Sequence, residues 1–190
     1  IIKIEINCSS GQRIIKNSLT ENISIYQRAT NKFIHIILPK PRLFIIGAVH
    51  IAQALVSIAQ IANYEITLID PREHFATKKR FPNCTIINEW PDTALANLTL
   101  DNASHIVTLT HDPKIDDPAL ITALKNDTGY IGSLGSKKTH NSRCERLKLL
   151  GFNKSDLSKI HGPIGLDIKA KTPAEIAISI LAEITNFRRL

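Results

Sequence analysis

The chain has 190 residues, of which 43% are hydrophobic, 22% are charged and only 5% are aromatic. This composition fits a single globular domain, or a domain with a small appendage, with a mainly aliphatic core. The 8 glycines and 9 prolines exclude collagen-like or low-complexity character, and no apolar stretch is long enough to span a bilayer. The sequence contains no methionine and begins at Ile1. We therefore expect that it is truncated, or that modified methionines have been left out of it.

The formal charge of +7 favours an anionic partner such as a phosphate, a nucleotide or an acidic protein surface. Nucleic acid is not expected, because the basic residues are scattered and are not interleaved with aromatic residues. The three cysteines, Cys8, Cys84 and Cys144, form no C-x-x-C pair and argue against a disulfide framework. No signal-peptide pattern is present, so we expect a cytoplasmic protein with no membrane association.

Residues 1–40 are predicted to form a small β-rich segment. Three short runs are typical of strands: 1–6, 23–28 and 33–38. Alternation in the first and third predicts half-buried antiparallel strands, with turn residues at Gly11 and 17–22. So short a piece buries little core alone, so we expect a lid or the remnant of a longer N-terminal domain. Pro39 and Pro41 then stiffen a linker.

Residues 41–190 are predicted to form an α/β domain around a doubly wound parallel sheet. Strands are predicted at 43–46, 66–69, 85–87, 105–110 and 130–131, and helices at 51–62, 91–96, 118–125, 139–150 and after a capping box at 172–175. Asp116 or Asp117 is the expected cap of the third helix. Repeated β-α units with short connections imply this fold class.

In such a sheet, ligands bind beyond the carboxyl ends of the strands. The turn after the first buried strand fits the dinucleotide fingerprint G-x-G-x-x-G/A at Gly47 and Ala52, but Val49 replaces the glycine that lets the backbone approach a pyrophosphate. Asp70 follows the next strand, about 20 residues on, as a ribose-binding acid would, and Arg72 is beside it. NAD(P) is therefore a possible but weakened ligand. Alternatively, Gly47 and Ala52 only permit tight strand–helix packing.

His111 and Asp112 follow the fourth predicted strand. At this position they could act as an acid, a base or a metal ligand, although Asp-Pro also initiates ordinary turns. We predict no metal site here or elsewhere.

The loop after the fifth predicted strand combines glycines, hydroxyls and cations before a helix. Its candidate ligands are Gly132, Gly135, Ser136, Lys137 and Lys138. Backbone N–H groups at a helix start, with the helix dipole and lysines, can bind a phosphate or another anion. The spacing is not that of a P-loop. The alternative is a solvated loop followed by a helix with an exposed basic face, formed by Arg143, Arg146 and Lys148.

Two further features have weaker signals. The loop 161–167 could point His161 and Asp167 inward, or it could be a turn in which Asp167 caps a helix. Cys144 lies among cations that would lower its thiol pKa, but with no partner in the sequence a buried inert thiol is favoured.

Several of these segments together resemble one known family. They are GAVHIAQAL (47–55), IDPR (69–72), FAT (75–77) with RFP (80–82), LTHDPK (109–114), YIGSLGSKKTH (130–140), IHGPIGLDI (160–168) and TPAE (172–175). Their order and content resemble the xanthine dehydrogenase accessory factor (XdhC/CoxI) family over residues 42–185. The resemblance implies that family's C-terminal Rossmann-like domain, whereas residues 1–40 match only as a shortened N-terminal region.

The resemblance implies a chaperone and not a redox enzyme. It implies that the protein binds the molybdenum cofactor, holds it while a cysteine desulfurase replaces an oxo ligand by sulfur, and passes it to xanthine dehydrogenase or a related molybdenum hydroxylase. It also makes a homodimer plausible. Catalytic residues stay unassigned. The candidate cofactor-binding residues are Gly47, His50, Asp70, Arg72, His111, Asp112, Gly132, Gly135, Ser136, Lys137, Lys138 and His161.

Three classes of function thus stay open at this point. The first is the cofactor chaperone, the second an NAD(P)-dependent oxidoreductase supported by Asp70 and opposed by Val49. The third is a nucleotide-sensing or partner-docking module without chemistry of its own.

Overall fold

The computed structural model describes residues 2–17, 24–37 and 39–189. The chain divides into two compact units, Ile1–Lys40 and Pro41–Leu190. Among the described residues, no helix is both long and apolar enough to cross a membrane.

The N-terminal unit contains an antiparallel sheet with the strand order β2-β1-β4-β3. Its strands are β1 (Ile2–Asn7), β2 (Arg13–Asn17), β3 (Ile25–Gln27) and β4 (Lys32–Ile37). The antiparallel pairing of β1 with β4 agrees with the predicted strands at 1–6 and 33–38, of which Ile1 and Leu38 lie outside the described residues. The turn predicted at 17–22 is wrong at Asn17, which ends β2, and its other residues lie outside the description, as does Ile23.

The strand β2 has no counterpart among the sequence predictions. It is an edge strand whose five residues are all exposed, so its residues show no alternation of burial. Without a buried face, an edge strand leaves no period-two signal in the sequence.

The C-terminal unit is built on a six-stranded sheet that is parallel throughout, with the order β10-β9-β8-β5-β6-β7. Its strands are β5 (Arg42–Ile46), β6 (Glu65–Ile69), β7 (Thr85–Ile87), β8 (Ser104–Thr108), β9 (Tyr130–Ser133) and β10 (Ile160–His161). The helices are α1 (His50–Ile61), α2 (Pro91–Ala96), α3 (Pro113–Lys125), α4 (Lys137–Leu149), α5 (Lys154–Leu157) and α6 (Pro173–Arg189). The predicted doubly wound α/β fold is confirmed.

The order of strand addition reverses at β5. The chain adds β6 and β7 on one side of β5 and then crosses to add β8 on its other side. Ligands of doubly wound sheets bind at such a switch point, beyond the carboxyl ends of the strands. The turns after β5 and β8 are therefore the first place to look for a site.

Alternate residues of β5 face two separate apolar clusters. Leu43 and Ile45 belong to the cluster that includes α1 and α6, while Phe44 and Ile46 belong to the one that includes α2 and α3. All four are buried. Burial on both faces is the reason that a parallel strand is apolar at every position instead of alternating.

Two predicted helix starts are wrong. The third helix begins at Pro113 and not at residue 118, because Asp112 is its cap: Asp112 Oδ1 accepts the N–H of Lys114 at 2.9 Å. Asp116 thus lies inside the helix, and Asp117 does not cap it. Proline is well tolerated at the first helical position. The fourth helix begins at residue 137, two positions earlier than predicted.

The predicted capping box of the last helix is present. Glu175 donates its N–H to Thr172 Oγ1 at 3.3 Å, and the N–H of Thr172 is donated to Glu175 Oε2 at 2.9 Å. This reciprocal pair satisfies two backbone donors that a helix start otherwise leaves unpaired.

Candidate functional site

The turns that follow β5 and β8 contact each other at the switch point. Gly47 has φ +106° and donates its N–H to the carbonyl of Ile69 at 2.9 Å. A Cβ on Gly47 would collide with the Thr110 side chain of the neighbouring turn. Glycine is therefore required at position 47 both by its left-handed backbone and by the close approach of the two turns.

Asp70 is fully buried and lies beneath this turn. Its Oδ2 accepts the N–H of Ala48 at 2.8 Å and Nη2 of Arg72 at 2.8 Å. Its Oδ1 accepts the N–H and Nε of Arg72 at 3.0 and 2.9 Å. Burial would raise the pKa of Asp70, but these hydrogen bonds outweigh it and hold the pKa below its usual value. Its acceptor positions are thus occupied by the chain itself, where a ribose hydroxyl would need one free.

Arg80 holds the same turn from the other side. Its Nη1 donates to the carbonyl oxygens of Ala48 and Phe75 at 2.9 and 2.6 Å, and its Nη2 donates to Gln53 Oε1 at 3.2 Å. Both backbone polar groups of Ala48 are therefore bonded to buried or half-buried charged side chains. Arg80 was not among the predicted site residues, although it lies in one of the family-like segments.

Arg72 extends from Asp70 over the ring of Phe75, with Cζ 4.7 Å from the ring centroid. The hydrogen bond to Asp70 is the main cause that raises the pKa of Arg72, and Asp112 and Asp116 add to it through space. Arg72 therefore carries positive charge toward the turn after β8.

The start of α1 is only weakly capped. Val49 is the cap residue, makes no side-chain hydrogen bond there, and packs partly against the apolar cluster of α1 and α6. His50 is the first helical residue and is exposed. Of the predicted ligands in this turn, His50 is thus the side chain that reaches solvent.

The turn after β8 is organised by Asp116, which is 1% exposed. Its carboxylate accepts Oγ1–H of Thr110 at 2.7 Å and the N–H of His111 at 3.1 Å. Burial raises the pKa of Asp116. His111 has φ +64°, a left-handed conformation unusual for a residue with a side chain and common at functional turns. The Asp112 side chain bonds the local backbone as the cap of α3, as expected from an Asp-Pro sequence with a local structural role. The side chain of His111 is exposed.

The turn after β9 leads into α4. Gly135 has φ +141°, and Ser136 caps the helix by accepting the N–H of Thr139 at 3.1 Å. Gly132 lies within β9, where a Cβ would collide with Ile164, so its role is packing. Lys137 and Lys138 are the first two helical residues, and both are exposed.

A cavity of about 240 Å³ lies between the starts of α3 and α4. The side chains that line it include His111, Asp116, Lys138, Thr139, Arg143 and Arg146. Lys138 faces this cavity, whereas Lys137 lies close enough to Asp167 to help lower its pKa. His111 and Lys138 thus line the same cavity, whereas Lys137 lies near Asp167 instead.

Arg143 differs from the exposed basic face considered as an alternative for α4. It is 2% exposed, and its Nη2 donates to the carbonyl of Leu134 at 2.9 Å. Arg146 pairs with Asp117 through two hydrogen bonds of 2.6 and 2.9 Å, and Lys148 pairs with Glu145 at the surface. Buried Leu147, one turn after Arg143, is the sequence signal that places position 143 on the inner face of α4.

His161 is directed into a different environment. Its ring stacks on Tyr130 with centroids 4.7 Å apart, and its Nδ1 lies 3.6 Å from Glu183 Oε1. The Tyr130 hydroxyl and the N–H of Gly165 both donate to Glu183 Oε2. Burial would raise the pKa of Glu183, but these hydrogen bonds together lower it. His161 thus helps attach α6 to the sheet and does not line the cavity.

The prediction for Asp167 is corrected here, while the raised thiol pKa of half-buried Cys144 agrees with the predicted inert thiol. Asp167 neither points inward nor caps a helix, since it is exposed and pairs with Lys169 at 2.7 Å. Cys144 does have a partner, because His140 Nε2 lies 3.5 Å from its Sγ. Burial raises the pKa of the Cys144 thiol and outweighs the opposite effect of Arg143 and Lys148. Within residues 2–17, 24–37 and 39–189, no group of three or more His, Cys, Asp or Glu side chains could hold a metal ion.

The family model described as the XdhC Rossmann domain matches residues 43–184. This range is the doubly wound unit with its switch-point turns. The chain belongs to the XdhC Rossmann domain family.

Named relatives extend the comparison. The chain is 30% identical over 179 residues to a protein of Bacillus subtilis described as a probable xanthine dehydrogenase component, covering 94% of this chain and 52% of that protein. It is 30% identical over 150 residues to the molybdenum cofactor insertion chaperone PaoD of Escherichia coli, covering 79% of this chain and 41% of PaoD. Since the first match spans 94% of the chain, the similarity to the Bacillus subtilis protein reaches into the N-terminal unit as well.

A solved crystal structure of a xanthine dehydrogenase from Bacillus halodurans has the same fold, with a TM-score of 0.79 and 26% identity. The match covers 99% of this chain and 62% of that one. The chain thus spans about half the length of the curated relatives described above.

Proposed function

We propose that this protein binds the molybdenum cofactor and assists its sulfuration and its insertion into xanthine dehydrogenase or a related molybdenum hydroxylase. Family membership and the similarity to PaoD, named as a cofactor insertion chaperone, support this role. The cysteine desulfurase and the molybdenum hydroxylase are the partners that the proposal requires. Under this proposal the protein is a carrier and not itself the redox enzyme.

The observation that carries the proposal is a cationic cavity beside the switch point. Lys138 and buried Arg143 line it together with His111. The molybdenum cofactor is an anionic pterin that carries a phosphate, so its charge is complementary to this wall. The cavity of about 240 Å³ is smaller than the roughly 300–1,000 Å³ of pockets that enclose a whole drug-sized ligand. It therefore fits one end of the cofactor, and the remainder would lie along the exposed turns that contain His50 and Gly135.

The direct test is binding of isolated molybdenum cofactor by the purified protein under anaerobic conditions, followed by pterin fluorescence after size-exclusion chromatography. We expect cofactor to co-elute with the wild type, and binding to be lost in the double variant Lys137→Ala/Lys138→Ala. Absence of cofactor from wild-type fractions, with a bona fide carrier as a positive control, would contradict the proposal.

The partner assignments need separate measurements. Affinity capture with a molybdenum hydroxylase and with a cysteine desulfurase should each retain the protein, and capture of the hydroxylase should strengthen when cofactor is loaded. Light scattering after size exclusion tests the predicted homodimer. Failure to retain either enzyme would reduce the role to cofactor storage.

An NAD(P)-dependent activity is less well supported, because Asp70 is occupied by Arg72 and Ala48. We expect no heat when millimolar NAD(P) is titrated calorimetrically. The nucleotide-sensing alternative would be favoured instead if nucleotides bound without any transfer of cofactor to a hydroxylase.

A further inference from the structure

Arg143 is a buried cation whose hydrogen bonds are incomplete. Its Nη2 donates to Leu134, but Nε and Nη1 are buried and have no hydrogen-bond acceptor anywhere in the described parts of the chain. A buried donor without an acceptor is costly, and a buried charge more so. Such groups are rare in native proteins, and each calls for an explanation such as an ordered water, an ion or a functional role.

The neighbouring charges do not supply the missing acceptors. Asp116 attracts Arg143 through space but makes no ion pair with it, and its oxygens accept hydrogen bonds from Thr110 and His111 instead. Asp117 accepts hydrogen bonds from Nε and Nη2 of Arg146. Each nearby carboxylate is thus committed to other donors.

Further donors converge on the same cavity. Lys138 lines it and forms no ion pair with any described residue. Thr139 and Ser142, on the first turns of α4, also line it. The partial positive charge of a helix start adds to these. The cavity therefore combines a buried guanidinium and an ammonium group with the carboxylate of Asp116, whose oxygens are already hydrogen-bonded to Thr110 and His111.

We propose that Arg143 and Lys138 bind a phosphate group in this cavity, with the guanidinium donating through one of its two unpaired nitrogens. Each guanidinium N–H is a charge-assisted donor to a phosphate oxygen, and burial strengthens such a bond. The phosphate site itself is independent of the proposed function. Only the assignment of this phosphate to the molybdenum cofactor rests on the proposed function. The proposed site thus lies in the space between α3 and α4, deeper than the exposed loop where the sequence predicts an anion.

The test uses the full chain and inorganic phosphate in a phosphate-free zwitterionic buffer, with isothermal titration calorimetry as the readout. Arg143→Met keeps most of the side-chain volume and removes the donors, and we expect it to weaken phosphate binding by about tenfold or more. Lys138→Ala, at an exposed position that cannot disturb the core, should weaken it by about threefold. Lys148→Ala removes the same charge from the exposed side of α4 and should leave the affinity unchanged.

Three results would overturn the site: no phosphate binding by the wild type, unchanged affinity in both variants, or an equal loss in Lys148→Ala. If Arg143→Met does not fold by circular dichroism, Lys138→Ala against Lys148→Ala decides the question alone. The two proposals also fail separately. Cofactor bound equally well by Arg143→Met would show that the cargo does not use this phosphate site and would leave the carrier role standing. Phosphate binding without any cofactor binding would remove the carrier role and leave the phosphate site standing.

Discussion

Asp70 and Arg143, the buried charges on the two sides of the switch point, differ in how completely the chain hydrogen-bonds them. On the β5 side, Asp70 receives four hydrogen bonds from Ala48 and Arg72. On the β8 and β9 side, Arg143 makes one hydrogen bond and leaves two nitrogens without acceptors. A buried charge that the chain itself satisfies stabilises a turn, while one left unsatisfied is available to a ligand. In the half with the dinucleotide-like fingerprint, the buried carboxylate of Asp70 therefore holds the turn together.

The largest expected loss of unfolding free energy comes from removing Asp70, the buried charge that the chain fully hydrogen-bonds. Asp70→Ala would leave Ala48 without its acceptor and Arg72 without its counter-ion. Removing one partner of a buried pair costs about 3–5 kcal/mol, and because Arg72 is partly exposed we expect the low end, about 3 kcal/mol. Urea unfolding measures it, with exposed Asp127→Ala as the control. A loss no larger than the control's would show that Asp70 does not stabilise the turn.

The contact between the two turns can be tested by Gly47→Ala. The positive φ and the collision with Thr110 together should lower the free energy of unfolding by about 2 kcal/mol. Adding Thr110→Ser removes the colliding methyl group but keeps the hydroxyl that donates to Asp116, so it should restore part of the loss. If the double variant is no more stable than Gly47→Ala, the strain lies in the backbone alone.

The two buried carboxylates should respond to pH with opposite signs. The pKa of Asp70 is lowered on folding, so its stabilisation is present above the unfolded value of about 4 and is lost as pH falls through the folded value. The pKa of Asp116 is raised, so its contribution grows as pH falls from the folded value toward about 4. Unfolding free energies measured from pH 7 to 3 should therefore fall less steeply in Asp70→Asn and more steeply in Asp116→Asn than in the wild type. Parallel curves for all three proteins would refute this difference.

The smallest change in unfolding free energy is expected from replacing Arg143, the buried charge with unpaired donors. Without phosphate, Arg143→Met replaces a costly buried charge by an apolar side chain, and it loses the bond to Leu134 and the attraction to Asp116 and Asp117. We expect the free energy of unfolding to stay within about 1 kcal/mol of the wild type, in contrast to Asp70→Ala. Millimolar phosphate should raise the melting temperature of the wild type and not of the variant. A loss as large as that of Asp70→Ala would make Arg143 a structural residue.

Much of the fold follows from local sequence patterns. The continuous apolar runs at 43–46 and 66–69 predict buried parallel strands because such strands are covered on both faces. The capping box at Thr172 and Glu175 predicts the start of α6 because it involves residues three apart. The start of α3 was predicted wrongly, since Asp112, Asp116 and Asp117 are all chemically suitable caps and only the folded chain selects one.

The sequence by itself determined the α/β class, the turns that lie at the strand ends and the basic character of the β9–α4 loop. Only the tertiary structure decided that Asp70 is occupied, that Cys144 lies beside His140, and that Arg143 is buried with donors unpaired. The physical reason is that helices and strands depend on residues close in the chain. The hydrogen-bond partners and burial of a side chain depend on elements that are distant in sequence and meet only after folding.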